Sequence, residues 1–266
     1  MPAGSASRHS GWALQAGWGN TRMDSWFNVA GQFLNPAARV SAVPIAPGEL
    51  CIVVDQALAN PEGLIAWAAA QDFRPPQGFP YPGVMVDAPP AVSARVGDYF
   101  AQHVRGRLGG RRTLSTTVRL SLVALSPQQL RPVQWQCHRD RLGPATHDVR
   151  LAGMVTYLFR DSELGGTSFY RSLLSDDETE RMIDDAGRMS AAEFSARYGL
   201  TAGYLCGSNR YFERVAQIPA VWNRMLFYNG DLFHSADIGA PARLSADPCA
   251  GRLTLNGFFT CRPAVR

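Results

Sequence analysis

Lysine is absent: all 26 basic residues of this 266-residue chain are arginine. The 22 acids leave a formal charge of only +4. The arginines are scattered and mostly interleaved with acids, which argues against a nucleic-acid surface. The densest run, RGRLGGRR at 105–112, reads as a solvated helix end and turn. Cysteine is scarce, with five residues at 51, 137, 206, 249 and 261. The count is odd and no CxxC spacing occurs, so neither a disulfide framework nor a zinc knuckle is expected, and a reducing compartment fits. Long apolar runs are missing as well. The opening MPAGSASRHSGWALQAGWGN has no signal-peptide core, and no segment is long enough for a membrane span. The expectation is a cytoplasmic protein without nucleic-acid or membrane partners.

Hydrophobic residues make up 46% of the chain, enough for a substantial core. Residues 1–40 are rich in Gly, Ala, Ser and Asn and read as a loose extension, with Trp26 and Phe27 available to pack. Residues 41–266 read as a single domain. LCIVVDQAL, from 50, is strand-like. NPEGLIAWAAAQ is a helix with Asn60 as its cap and Pro61 in its first position. FRPPQGFPYPGVMVDAPP reads as a Pro/Gly loop, and AVSARVGDYFAQHVRGRL as a second amphipathic helix carrying a surface His103. These segments form a helical support over 50–112.

After 112 the texture changes. TLSTTVRLSLVALS alternates and is β-branched, and strand-like runs follow at 133–138, 151–159, 166–170, 224–228 and 252–260. A helical insertion spans about 171–222. Its second helix opens on SAAE, where Ser190 and Glu193 have capping-box spacing. Helices followed by many antiparallel strands define a mainly β protein with flanking helices, a sandwich or jelly roll with its core over 113–262.

Within VQWQCHRDRLGP, His138 and Asp140 are two apart, which on a strand puts both side chains on one face. A solvent-facing strand end would look the same. His234, in RMLFYNGDLFHSADIG, follows at a distance of several strands. Two histidines and a carboxylate so arranged match the facial triad that leaves positions open on a ferrous ion. In GRLTLNGFFTC, Arg252, Thr254, Asn256 and Phe258 share one face, and Leu253, Leu255 and Phe259 the other. An arginine opening a core strand needs an anionic partner. Either a ligand carboxylate or an acid of a neighbouring strand would serve.

Four stretches in order, HRD at 138–140, MVTYLFRDSELGGTSFY at 154–170, FYNGDLFHSADI at 227–238 and GRLTLNGFF at 251–259, resemble the iron(II)- and 2-oxoglutarate-dependent dioxygenases, in their prolyl-hydroxylase-like branch. The resemblance covers roughly residues 115–262. It implies a double-stranded β-helix core, the jelly roll shared with cupins. It also implies Fe(II), 2-oxoglutarate and O2, with release of succinate and CO2. His138, Asp140 and His234 match the iron ligands. Arg252 matches the arginine that binds the distal carboxylate of 2-oxoglutarate, and Tyr157 a tyrosine that often bonds the same group; Thr254 points the same way as Arg252. The arginine follows the second histidine more closely in the family, and Arg243 in the intervening PARLSADPCAG loop is the rival. The retained carboxylate at Asp140 implies hydroxylation rather than halogenation, with desaturation or ring formation open. The implied partner is a small-molecule or peptide substrate. Two other classes use the same scaffold: a cupin-like metal hydrolase or isomerase, and a non-catalytic jelly-roll binding protein.

Overall fold

The computed structural model describes residues 31–141 and 148–264. The chain opens with a hairpin, β1 (Arg39–Ala46) and β2 (Glu49–Asp55), turned at Gly48, whose φ of +74° suits glycine. Helix α1 (Pro61–Ala69) starts where Asn60 accepts a hydrogen bond from the Gly63 amide. A short strand β3 (Gly83–Asp87) leads to α2 (Pro90–Tyr99), which runs on through a π-helical turn at Phe100–Val104. The long β4 (Gly110–Val123) follows, then β5 (Arg150–Tyr157) and β6 (Thr167–Ser172). Two helices, α3 (Asp176–Arg188) and α4 (Ala191–Tyr198), both start in capping boxes, at Ser175/Glu178 and Ser190/Glu193. The chain then forms β7 (Phe212–Ile218), β8 (Met225–Asn229), β9 (Phe233–Ala236) and β10 (Arg252–Pro263).

The strands make two antiparallel sheets, β1-β2-β8-β5-β10-β4-β3 and β7-β6-β9. His138 bridges to His234 on the free side of β9 and so adds a further rung to the small sheet. From β4 onward the chain crosses repeatedly between sheets: β4 large, the 138 segment small, β5 large, β6 and β7 small, β8 large, β9 small, β10 large. These eight segments have the connectivity of a jelly roll.

Strand alternation sorts the side chains into layers. One face of the large sheet, with Leu120, Leu122, Phe227, Leu253, Leu255 and Phe259, packs on Leu64, Val92, Val96 and Phe100 of the helical side. The other face carries Val53, Val155, Tyr157, Leu226 and Tyr228 and meets Phe169 and Ile218 of the small sheet. Met182, Ala186 and Phe194 of α3 and α4 cover the small sheet's outside at Tyr170, Phe212 and Phe233. Phe100 anchors the helical layer. Its ring stacks on Phe259 at 3.8 Å between centroids, and it is 1% exposed. Phe100→Ala should cost about 3–5 kcal/mol, read as a fall in the urea midpoint at unchanged slope.

The structure corrects several sequence expectations. The loose extension was to reach residue 40, but β1 begins at Arg39; Trp26 and Phe27 lie outside the described residues. The Pro/Gly loop contains β3, which lies at the sheet edge, where flanking prolines cost no ladder bonds. The 171–222 insertion contains β7, an edge strand of the small sheet with only its end residues buried, hence a weak apolar signal. The 133–138 run is no regular strand: Pro132–Gln134 is a 3-10 turn, and only His138 pairs. No helix among the described residues is long and apolar enough to cross a membrane.

Candidate metal centre

His138 and His234 exchange backbone hydrogen bonds, each N–H donating to the other's carbonyl at 2.9 Å. Directly opposed residues of an antiparallel pair project to the same face, and the two imidazole centroids are 4.4 Å apart. Asp140 lies two residues on, its amide donating to the Gly230 carbonyl at 2.8 Å. Arg141 forks onto Asp231 at 2.6 and 2.7 Å and fastens the segment to the β8–β9 turn. The three side chains therefore converge: one ligand atom from each lies within 4.8 Å of the others. Asp140 Oδ1 is 3.4 Å from His234 Nε2 and 3.8 Å from His138 Nε2.

The electrostatics fit a cation. The Asp140 carboxyl is 7% exposed, and its Oδ2 is buried without a hydrogen-bond partner. An orphaned carboxylate oxygen is costly unless something positive reaches it. Burial opposes its ionisation, but His234 and His138 outweigh that and hold its pKa below the ordinary carboxylate value. His234 Nδ1 lies 2.9 Å from the Leu232 carbonyl, which can only accept, so the ring proton sits on Nδ1 and the Nε2 lone pair faces the cluster. Burial lowers the His234 pKa, and Asp140 more than restores it. His138 is more open, with 57% of its side chain exposed.

Two glycines make room for Asp140. A Cβ on Gly153 would stand 2.7 Å from Asp140 Oδ2 and 2.7 Å from the Tyr228 ring; one on Gly230 would stand 2.9 Å from Oδ2. Alanine normally suits a strand interior better than glycine. Gly153→Ala should nevertheless weaken metal binding by about tenfold or more, because the carboxylate must move; a cobalt(II) titration reads this.

From Gly153 the inter-sheet face continues through Val155 to Tyr157, and the register sets Thr254 opposite both Tyr157 and Ser121. Arg252 is one alternation further along β10 and is 4% exposed. Its Nε donates to the carbonyls of Leu164 (2.9 Å) and Gly165 (3.2 Å), and its NH2 nitrogen to those of Gly165 (3.1 Å) and Gly166 (3.0 Å). The Gly-Gly permits this turn: Gly165 has φ +82°, and a Cβ there would fall 1.8 Å from the Asp237 carbonyl oxygen. No carboxylate among the described residues lies within ion-pair distance of Arg252. Burial lowers its pKa, partly offset by Tyr157, Tyr81, Tyr204 and Tyr228. The Tyr157 hydroxyl is 2.8 Å from Thr167 Oγ1. Thr254 Oγ1 accepts from Asn256 at 2.9 Å and reaches the Ser121 carbonyl at 3.4 Å.

The six sequence candidates thus form two groups in the inter-sheet space: three potential ligands from the small-sheet side, and Arg252, Thr254 and Tyr157 on the inner face of the large sheet. Arg243 is elsewhere, exposed and paired with Asp161 at 2.6 Å. A rival His-Asp pair in the sequence, the adjacent His147 and Asp148, is a poor chelate, since neighbouring strand residues point to opposite faces; His147 lies outside the described residues and Asp148 is exposed. Gly153, Gly230 and Tyr228 carried no sequence signal, because their roles depend on cross-strand register; Tyr81 and Tyr204 lie in the aromatic stretches YPGVM and GYLCGSNRYFERV, which the sequence marked only as segments that could shape a substrate mouth or simply pack.

Fold and site define a jelly-roll protein with a candidate metal centre inside the sandwich. The chain belongs to a family of unknown function (DUF6445), whose model matches residues 36–259. No curated protein matches it. Solved structures similar to it include HygX from Streptomyces hygroscopicus with nickel and 2-oxoglutarate bound, at 14% identity and TM-score 0.40, covering 80% of this chain and 82% of that one. A Pseudomonas putida prolyl-4-hydroxylase matches at 16% identity and TM-score 0.35, over 76% and 88% of the two chains. An N-substituted L-amino acid dioxygenase from Burkholderia ambifaria AMMD matches at 12% identity and TM-score 0.34, over 79% and 80%.

Proposed function

We propose that the protein is an iron(II)- and 2-oxoglutarate-dependent oxygenase. It hydroxylates an unactivated C–H bond of a peptide or amino-acid-derived substrate and releases succinate and CO2. The observation that carries this reading is a His-His-Asp cluster that faces, across the sandwich, the inner side of the large sheet, where a buried arginine has no carboxylate partner among the described residues. A hydrolase or isomerase using the metal alone would have no use for that buried charge.

His138, Asp140 and His234 would hold the iron, and Arg252 the distal carboxylate of 2-oxoglutarate. When bound together, iron and 2-oxoglutarate supply the oxidising power for C–H cleavage from O2. The rest is the work of this chain. The carbonyls of residues 164–166 fix the Nε–NH2 edge of Arg252 and set the direction of the guanidinium. The Tyr157 and Thr167 hydroxyls share a hydrogen bond in which either can donate, and with Thr167 as the donor the Tyr157 proton is free for the same carboxylate. Thr254 bounds the pocket between Tyr157 and Ser121. Leu226, Val155 and Phe169 keep water from the sandwich interior. The Leu232 carbonyl holds His234 in the ligating tautomer.

The test is anaerobic addition of ferrous ion and 2-oxoglutarate to the purified protein. A weak visible charge-transfer band should appear only with both present. Admission of air with a substrate should then yield succinate. Metal binding without 2-oxoglutarate binding would sink the reading.

A further inference from the structure

Arg119 lies on the same inter-sheet face. Leu120 and Leu122 point into the helical layer, so the alternation turns Arg119 and Ser121 inward. In register Arg119 opposes Asn256 on one side and Asp87 of β3 on the other, and Asn256 opposes Val155; the Asp87 side chain is exposed and makes no ion pair with Arg119 among the described residues. The neighbouring rung on this face is Thr117, Phe258, Gly153, and Gly153 is the glycine against which Asp140 rests. Arg119 is therefore one rung along and two strands over from Gly153, whereas Arg252 is three rungs along on the strand between.

The guanidinium of Arg119 has almost nothing to hold. It forms no ion pair among the described residues, and its Nε is buried without a hydrogen-bond partner. Its NH1 nitrogen meets only the Met85 sulfur, a weak acceptor, at 3.5 Å. Two rings flank the charge, Phe79 at 5.1 Å and Phe258 at 5.7 Å from their centroids. Phe258 itself is 39% exposed, so this end of the face reaches solvent. Aromatic faces attract a cation but leave its N–H donors unsatisfied. A positive fork with a buried free donor, walled by phenyl rings, is complementary to a carboxylate attached to an apolar body.

We propose that Arg119 binds the carboxylate of the primary substrate, and that this substrate is a carboxylic acid with an aromatic or other apolar body next to the acid. The assignment rests on the oxygenase reading for the word substrate, but the site stands on its own geometry. The two arginines divide the labour on one face, Arg252 for the cosubstrate and Arg119 for the molecule to be oxidised.

Phenylacetate is the probe and phenylacetamide its neutral control. Each is titrated by calorimetry into full-length protein holding zinc and saturating 2-oxoglutarate, with 2-oxoglutarate affinity measured separately. Wild type should bind phenylacetate and discriminate against the amide. Arg119→Ala should weaken phenylacetate binding by about tenfold or more, and Arg119→Lys should restore part of it. The 2-oxoglutarate affinity should stay within a few-fold in both variants. No phenylacetate binding by wild type, equal binding of acid and amide, or unchanged binding in Arg119→Ala would each overturn the proposal. Loss of 2-oxoglutarate rather than phenylacetate in Arg119→Ala would make Arg119 the cosubstrate arginine and also overturn it. If wild type fails to bind metal or 2-oxoglutarate, the oxygenase reading falls; the same phenylacetate titration on metal-free protein then decides the Arg119 site independently.

Discussion

Arg252→Ala should weaken 2-oxoglutarate binding by roughly 30-fold to a few thousand-fold, the equivalent of losing one partner of a desolvated charge pair. Arg243→Ala should leave it within a few-fold. Both side chains touch the same turn from opposite sides. Arg243 meets the Asp161 carboxylate on the outside, and its charge is already neutralised there. Arg252 meets only the carbonyls of residues 164–166 on the inside, which orient it without cancelling its charge. Truncating Arg252 also strips donors from three buried carbonyls, so Arg252→Ala carries a folding cost of its own. Arg252→Lys guards against that ambiguity. It keeps a point charge and loses the fork, so it should recover part of the affinity at near-normal stability. The measurement is a 2-oxoglutarate titration of each variant at fixed metal, beside its metal affinity. A strong loss in Arg243→Ala with none in Arg252→Ala would reverse the assignment and move the cosubstrate pocket.

The candidate site was more legible in the sequence than the outline of the sheets. His138 and Asp140 could be paired because a two-residue period is local, and any extended segment obeys it. His234 could be added because late histidines on strand ends are few. Even so, the segment bearing His138 is no regular strand; it has one backbone pairing and is pinned by Arg141 and Asp231. Arg252 stood out by its cost: an arginine opening a core strand needs partners, and in the structure these are the carbonyls of residues 164–166. The same logic missed Arg119, in the alternating TLSTTVRLSLVALS. Its polar positions look like an ordinary solvent face until the helices are seen covering the leucines. Edge strands β3 and β7 were missed because an edge need bury little, so its residues carry little apolar pattern. Gly153 and Gly230 were invisible because the atom they avoid, Asp140 Oδ2, belongs to a segment distant in sequence from Gly230 and on another sheet from Gly153.

Removing the cluster's carboxylate should cost metal binding far more than it costs the metal-free fold. Asp140→Asn should weaken ferrous binding by more than about 100-fold, since outer-shell changes alone commonly cost 10- to 100-fold. The metal-free protein should melt only slightly below wild type: the amide keeps the shape and relieves an unsatisfied buried oxygen, but it loses the attraction of His234 and His138 that holds the Asp140 pKa down. His138→Ala should behave similarly: more than half of that side chain is exposed, so little packing is lost with the ligand. His234→Ala is less clean. Its ring is 6% exposed and bonded to Leu232, so truncation leaves a cavity and an unsatisfied carbonyl. His234→Gln keeps most of the volume and is the better reading of ligation at that position. Anaerobic iron titration, with melting curves of the metal-free variants, separates lost ligands from lost fold. His147→Ala should retain the metal. Full ferrous affinity in Asp140→Asn, His138→Ala or His234→Gln would remove that residue from the ligand set. Loss of iron in His147→Ala with His138→Ala unaffected would move the centre to the other histidine.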